Sequence, residues 1–226
     1  MPTLHVLRVF TNDEGEWGNP LGVFLDGAAV PEGERQRVAA DLGFSETVFV
    51  DDAVTGEVRL YTPTDELPFA GHPMVGTAWL LTRERTPLET LRPAACPVAT
   101  RVEDGLTFIA AEAAWSPEFE YRQLAGPDEV HALSAAPPDA DSTYPWAWID
   151  EAAGTIRARM FAPRYGVPED EATGSAALAL SVQLDRPVTI HQGHGSVLIA
   201  RPLGEGRAEV GGSVALDETR EYELAG

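Results

Sequence analysis

One phrase occurs twice in this chain, 100 residues apart, and that repetition limits the folds open to it more than any other feature. The first copy is RLYTPTDELPFAGHPMVGTAWLL, from Arg59 to Leu81; the second is RMFAPRYGVPEDEATGSAALAL, from Arg159 to Leu180. Arg59, Tyr61, Pro63 and Pro68 answer Arg159, Phe161, Pro163 and Pro168 at one constant offset. Each copy then runs into a helix start built from small residues, Gly71-His72-Pro73 in one and Thr173-Gly174-Ser175 in the other. Two copies suit a duplicated domain, because a solenoid needs about three or more repeats to bury a continuous core. Duplicated halves tend to meet about a pseudo-twofold axis, where a cleft is a natural ligand site.

Composition narrows the chemistry. The chain has 36 acidic side chains against 16 basic ones, a formal charge of −20. A field of that sign repels phosphate backbones and anionic bilayers, so neither nucleic acid nor a membrane surface is an expected partner. Every one of the 16 cations is arginine. Without lysine there is no Schiff base to pyridoxal phosphate and no phosphate-loop lysine. The single cysteine, Cys96, excludes an internal disulfide framework. No apolar run approaches the roughly 18 residues of a membrane span, and MPTLHVLRVF lacks the pattern of a signal peptide. The chain therefore reads as cytoplasmic.

At 226 residues the chain suffices for two domains of about 100 residues each. Strand patterns occur at Leu4–Phe10, Leu21–Leu25, Val48–Val50, Glu57–Tyr61 and Ala95–Val102. A helix opens at Pro31-Glu32, carries Val38, Ala39 and Leu42 on one face, and stops at Gly43. In the second half, strands are expected at Leu106–Ala111, Tyr144–Ile149, Thr155–Phe161, Val188–His191, Val197–Ala200 and Ala208–Val210, with a short helix over Pro127–Leu133. Helices at Pro73–Leu81 and Gly174–Leu184 are apolar nearly all round, which places them inside a wrap of sheet. The expected fold is α+β: two pseudo-symmetric half-barrel domains, each a mostly antiparallel sheet around a central helix. Residues 1–103 form the first half and 104–212 the second, with 213–226 a final strand returning to the first.

Gly18-Asn19-Pro20, Ser45-Glu46-Thr47 before a strand, DELPFAGHP (Asp65 to Pro73) and GVPEDEATGSAA (Gly166 to Ala177) together resemble the signature set of the PhzF family. These are phenazine biosynthesis-like proteins with the diaminopimelate epimerase-like fold. The resemblance spans both halves in the right order. It implies a cofactor-independent isomerase that moves a proton within a small carboxylate substrate, in a cleft between the two repeats. It also implies pairing into a homodimer through the sheets, which no feature of the sequence requires.

The residues bear this chemistry out in kind. A carboxylate such as Glu46, placed in a closed apolar pocket, gains a raised pKa and can accept and return a proton near neutrality. The resemblance makes Glu46 the general acid/base. It places His72 and Asp170, one from each repeat, beside the substrate as further catalytic groups facing one another. Gly71, Gly174 and Ser175 open the two buried helices, where unpaired N–H groups and the helix dipole favour an anion. With Asn19 they form the expected substrate-binding set, and amides of this kind can hold a carboxylate even in an acidic protein. No metal site is expected, since His191 and His194 lack a third ligand nearby.

The chain departs from its fold relatives at the helix starts. Epimerases of this fold use a cysteine at each helix start, whereas this chain has His72 and Ser175 there, so two-thiol racemisation is excluded. Two other readings of the same residues remain open. One is a non-catalytic metabolite-binding protein; the other is a hydrolase with Ser175, His72 and Asp170 as a triad.

Overall fold

The computed structural model of the chain describes residues 1–84, 88–137 and 140–224. Its elements in chain order are β1 (Thr3–Thr11), β2 (Asn19–Phe24), α1 (Glu32–Leu42), β3 (Glu46–Asp52), β4 (Glu57–Tyr61), β5 (Glu66–Leu67) and α2 (Gly71–Glu84). There follow β6 (Thr90–Leu91), β7 (Val98–Glu103), β8 (Leu106–Glu112), β9 (Glu120–Gln123), α3 (Pro127–Ala132) and β10 (Thr143–Asp150). The chain closes with β11 (Thr155–Ala158), β12 (Met160–Ala162), β13 (Val167–Asp170), α4 (Gly174–Leu184), β14 (Val188–Gln192), β15 (Ser196–Gly204) and β16 (Arg207–Glu221). No described helix is long and apolar enough to cross a membrane.

Two compact units result. The first holds Met1–Val9, Asn19–Ile109 and Ser213–Gly226; the second holds Phe10–Gly18 and Ala110–Gly212. In the first unit β1, β2, β3, β4 and β5 are successive neighbours, antiparallel except for the parallel pair β2–β3. A parallel pair needs a crossover, and α1 supplies it. Proline precedes α1, Glu32 and Glu34 sit in its first turn, and Gly43 ends it in the left-handed conformation at φ 67°. The helix lays Val38 and Ala39 on a cluster with Leu4, Phe24, Phe49 and Tyr222, where Phe24 and Phe49 stack with centroids 5.1 Å apart.

The buried helix α2 covers the other face of this sheet. Ten of its residues are buried, from Gly71 through Leu81 with Trp79 excepted. Gly76 lets it come close, since a methyl group there would lie 2.6 Å from Leu21 Cδ2 and 2.8 Å from Val9 Cγ2. The strands β2 and β3 thus carry helices on both faces and read as continuous apolar runs rather than alternating ones.

The second unit repeats the plan. β9 and β10 are parallel, with α3 as the crossover between them. β10 then pairs antiparallel with β11 and β12, β12 with β13, β14 with β15, and β15 with the first part of β16. Helix α4 is the buried one, its small side chains packed against β15. Tyr121 donates to the Ala176 carbonyl at 3.1 Å and Ser116 to the Ser175 carbonyl at 3.0 Å, tying neighbouring segments to its first turn.

Several segments differ from the sequence expectation, three of them with a clear physical cause. The expected strand over Thr155–Phe161 breaks at Arg159, which turns its guanidinium onto Glu169 in a bidentate pair at 2.7 and 2.5 Å. Val167–Asp170 is a strand despite a proline and two acids, because β12 offers it a paired edge. The last strand is far longer than Ala208–Val210. It continues to Glu221 because its end pairs with β1, where Arg8 and Asp217 meet at 2.7 Å.

Candidate active site

Glu46 is the first residue of β3, beside Leu21 of β2 in the parallel register. The adjacent Thr47 faces Tyr61 of β4, so the chain direction at Glu46 is set by sheet pairing on both sides. The carboxylate lies 3.1 Å from the imidazole of His72, measured from Oε2 to Nε2, and the two side chains keep only 15% and 8% of their surface exposed. Burial raises the Glu46 pKa from 4.5 to about 7, with the Ser45 hydroxyl pulling weakly the other way. Glu46 Oε2 is itself shielded from solvent. At neutral pH such a group is divided between acid and conjugate base, which suits it to take a proton and return it.

His72 owes its place to α2. It is the second helical residue, following Gly71 and preceding Pro73. Proline has no N–H, and its fixed φ is tolerated in a first helical turn. The first turn of α2 brings the His72 ring to Glu46. Asn19 opens β2, buried, opposite Val9 of β1. Asn19, Glu46, Gly71 and His72 all belong to the first unit.

Asp170, Gly174 and Ser175 belong to the second. Asp170 ends β13 opposite Met160. Its Oδ2 accepts a 2.6 Å hydrogen bond from the Thr173 hydroxyl. Thr173 stands at the N-cap of α4 and makes no side-chain cap bond. Its hydroxyl is committed to Asp170, so the amides of the first turn at Gly174 and Ser175 carry no side-chain cap.

Two contributors escaped the sequence. Gln192, fully buried, donates from Nε2 to the Asp170 carbonyl at 3.0 Å and to the Thr173 hydroxyl at 2.8 Å. Its Oε1 accepts from the Thr173 amide at 3.2 Å and from the Tyr144 hydroxyl at 2.9 Å. One amide side chain thereby fixes the approach to α4, and a lone glutamine before a glycine turn carries no pattern that could have flagged it. Glu171 is the second. The sequence invites a helix-entry role, yet its carboxylate accepts from the His194 and Gly195 amides at 2.9 and 3.1 Å and from the Ser196 hydroxyl at 2.9 Å. Ser196 Oγ in turn accepts from the Gly18 amide at 3.0 Å, anchoring the turn that leads to Asn19. Burial of Glu171 works against its charge, but the bonds from His194, Ser196 and Gly195 prevail and hold its pKa below the usual carboxylate range.

The strand pairing of the repeat identifies the counterpart of Glu46 in the second unit. Thr47 pairs with Tyr61, and Phe161, 100 residues after Tyr61, pairs with Thr143. The position before Thr143, equivalent to Glu46, is Ser142, a buried residue with no ionisable group.

Known proteins resemble this chain in sequence and in fold. Residues 7–114 and 142–200 match the PhzC-PhzF family, described as phenazine biosynthesis-like proteins. The trans-2,3-dihydro-3-hydroxyanthranilate isomerase of Pseudomonas fluorescens is 34% identical over 244 residues, covering 85% of this chain and 87% of that protein. The isomerase of the same name from Pseudomonas aeruginosa is 34% identical over 209 residues, 75% of each chain. Among solved structures, a phenazine biosynthesis PhzC/PhzF protein from Clostridium difficile superposes with a TM-score of 0.82 at 17% identity, covering 99% of this chain and all of the other. A hydroxyproline epimerase from Agrobacterium vitis follows at 0.62 and 11% identity, covering 97% of this chain and 90% of that one. Identities this low speak for the fold alone, which is the epimerase-like α+β fold.

Proposed function

The chain belongs to the PhzC-PhzF family of phenazine biosynthesis-like proteins, and on that footing we propose that it is an isomerase that moves a proton within a small carboxylate substrate, with Glu46 as the acid/base. The observation that carries the reading is the buried Glu46 carboxyl, with its pKa raised to about 7 and the His72 ring 3.1 Å away.

In the proposed reaction the ionised Glu46 removes a proton from an activated carbon. The C–H electron pair moves into the adjoining conjugated system, and the proton resides on the Glu46 carboxyl. Protonated Glu46 then delivers it to another carbon of the same system, which forms the new C–H bond and regenerates the carboxylate. No electrons are gained or lost overall. His72 Nε2 steadies the carboxyl in both states and fixes which oxygen faces the substrate. Because Ser142 stands at the equivalent position of the repeat, one group performs both removal and return. By resemblance to the family, Asp170 assists the transfer, and Asn19, Gly71, Gly174 and Ser175 hold the substrate, the helix-start amides taking its carboxylate.

The first compound to try is trans-2,3-dihydro-3-hydroxyanthranilate, after the names of the Pseudomonas relatives. The reaction is run in deuterium oxide with the native chain and with Glu46→Gln, which keeps the shape of the side chain but cannot accept a proton. Native turnover with a loss of about 10²–10⁴-fold in the variant is expected. Undiminished turnover by the variant would remove Glu46 from the mechanism. Tight binding with neither turnover nor exchange would instead identify a metabolite-binding protein, and labelling of Ser175 by a fluorophosphonate would identify a hydrolase.

A further inference from the structure

A depression lies within the second unit, lined by none of the residues assigned to the substrate or to the proton transfer. It encloses about 410 Å³ and is lined by His131, Arg157, Arg159, Glu169, His191, Gly193, His194 and Gly195. Three of the chain's five histidines and two of its arginines thus converge on one place in a protein of charge −20. Successive strand residues face opposite sides of a sheet. On β14, Gln192 turns inward to Asp170 and Thr173 while His191 turns to the depression. On β13, Asp170 bonds Thr173 while Glu169 bonds Arg159. The two faces of the same two strands therefore serve different sites.

The charges in the depression are not equivalent. Arg159 is neutralised by its bidentate pair with Glu169. His194 meets Glu171 at 2.8 Å and stacks on Trp17 with centroids 5.3 Å apart. Arg157 differs from both. Among the described residues it forms no ion pair, although the chain carries 36 acids. Its Nη1 donates to the carbonyls of Ala158 and His191 at 3.0 and 2.9 Å, and its Nη2 donates to that of Gly193. Those bonds hold the guanidinium in place and occupy three of its N–H groups, leaving Nε–H and one Nη2–H for a ligand. His191 lies beside it in the register of β11 and β14. Burial, and then the Arg157 charge, keep the His191 pKa below the usual imidazole range, with Asp13 opposing weakly. Its neutral ring adds one further N–H donor. Among the described residues no three His, Cys, Asp or Glu side chains are arranged as a metal-ligand set.

We propose that this depression is a binding site for a small oxyanion, a carboxylate or phosphate group, held by the free edge of Arg157 with His191 and His131 beside it. A pre-positioned guanidinium suits such a group, since the planar fork matches two oxygens at once. Its volume fits a metabolite rather than a macromolecule. The site stands whether or not Glu46 is the catalytic base.

The test uses the native chain at constant ionic strength. Arginines are modified with phenylglyoxal and located by mass spectrometry, with inorganic phosphate in one arm, succinate in a second and chloride alone in a third. Either oxyanion should slow modification of Arg157 about tenfold, the ratio expected when binding contributes about 1.4 kcal/mol, while the exposed Arg207 reacts at its former rate. Whichever arm protects more strongly names the preferred group. The histidine Cε1–H signals of His191 and His131 should shift saturably in the same arm, and Arg157→Gln should abolish that saturation. Equal protection of Arg157 and Arg207, or no saturable shift with either anion in the native chain, overturns the proposal. So does unchanged anion affinity in Arg157→Gln.

Discussion

At the scale of single residues, the contrast between Glu46 and Glu171 shows how placement governs a carboxylate. Both are partly withdrawn from water. Glu171 is met by two amides, a hydroxyl and an imidazole, which favour its charge. Glu46 has the ring of His72 and the Ser45 hydroxyl but no such set of donors, so desolvation wins. The consequence extends to stability. Unfolded, the Glu46 carboxyl ionises near its ordinary 4.5, and folded near 7, so the folded chain holds the proton more tightly. Stability from this group is complete below pH 4.5 and is lost as pH rises through 7. By roughly pH 8.5 the loss amounts to about 3 kcal/mol. Glu46→Gln should therefore be more stable than the native chain by about that amount at roughly pH 8.5 and nearly equal to it at roughly pH 4.5. Thermal unfolding at the two pH values checks this, and an identical difference at both would mean the carboxyl is not desolvated. The motif around Glu46 marked the residue in the sequence, whereas its burial came only with the packing of α2 against β2 and β3.

At the scale of elements, the two buried helices were the easiest to read. Their composition leaves no polar face, and a helix of that kind has to be enclosed. The close approach of α2 to its sheet was less visible, because Gly76 in a helical run looks only like a weak helix former. With Leu21 and Val9 within 2.8 Å of an added methyl, Gly76→Ala should destabilise the chain by about 1–3 kcal/mol, although alanine is the better helix former. A shift of the urea midpoint to lower concentration, with an unchanged slope, checks this. A shift upward would show that the side chains of Leu21 and Val9 yield freely. β9 and β13 were not foreseen at all, as neither Glu120–Gln123 nor Val167–Asp170 carries an apolar alternation. Each is a strand because a neighbour offers its backbone a ladder. A local pattern does not record that.

At the scale of the whole molecule, the acidic charge opposes the substrate class proposed for it. An anionic substrate approaching a chain of charge −20 meets a repulsive field, and the amides of the helix starts act only at short range. Raising ionic strength from about 10 to about 150 mM shortens the screening length from about 30 to about 8 Å. The KM for an anionic carboxylate substrate should accordingly fall with added salt while kcat changes little, as initial rates at the two salt levels would show. A KM that rises with salt would mean that local cations, and not amides, attract the substrate.

The amino-acid order by itself determined the duplication, the two enclosed helices, the family and the identity of the residues at its motifs. The first two follow from spacing and composition and the family from the resemblance of its motifs, all properties of the chain read in one dimension. Tertiary structure decided the remainder. It set the 3.1 Å approach of His72 to Glu46 and the raised pKa that accompanies it, and it bound Asp170 and Thr173 to Gln192. It also left Arg157 with an unfilled edge beside His191. Each of these depends on how much water is excluded and on which distant backbone stands alongside, and neither quantity exists until the sheets have closed around their helices.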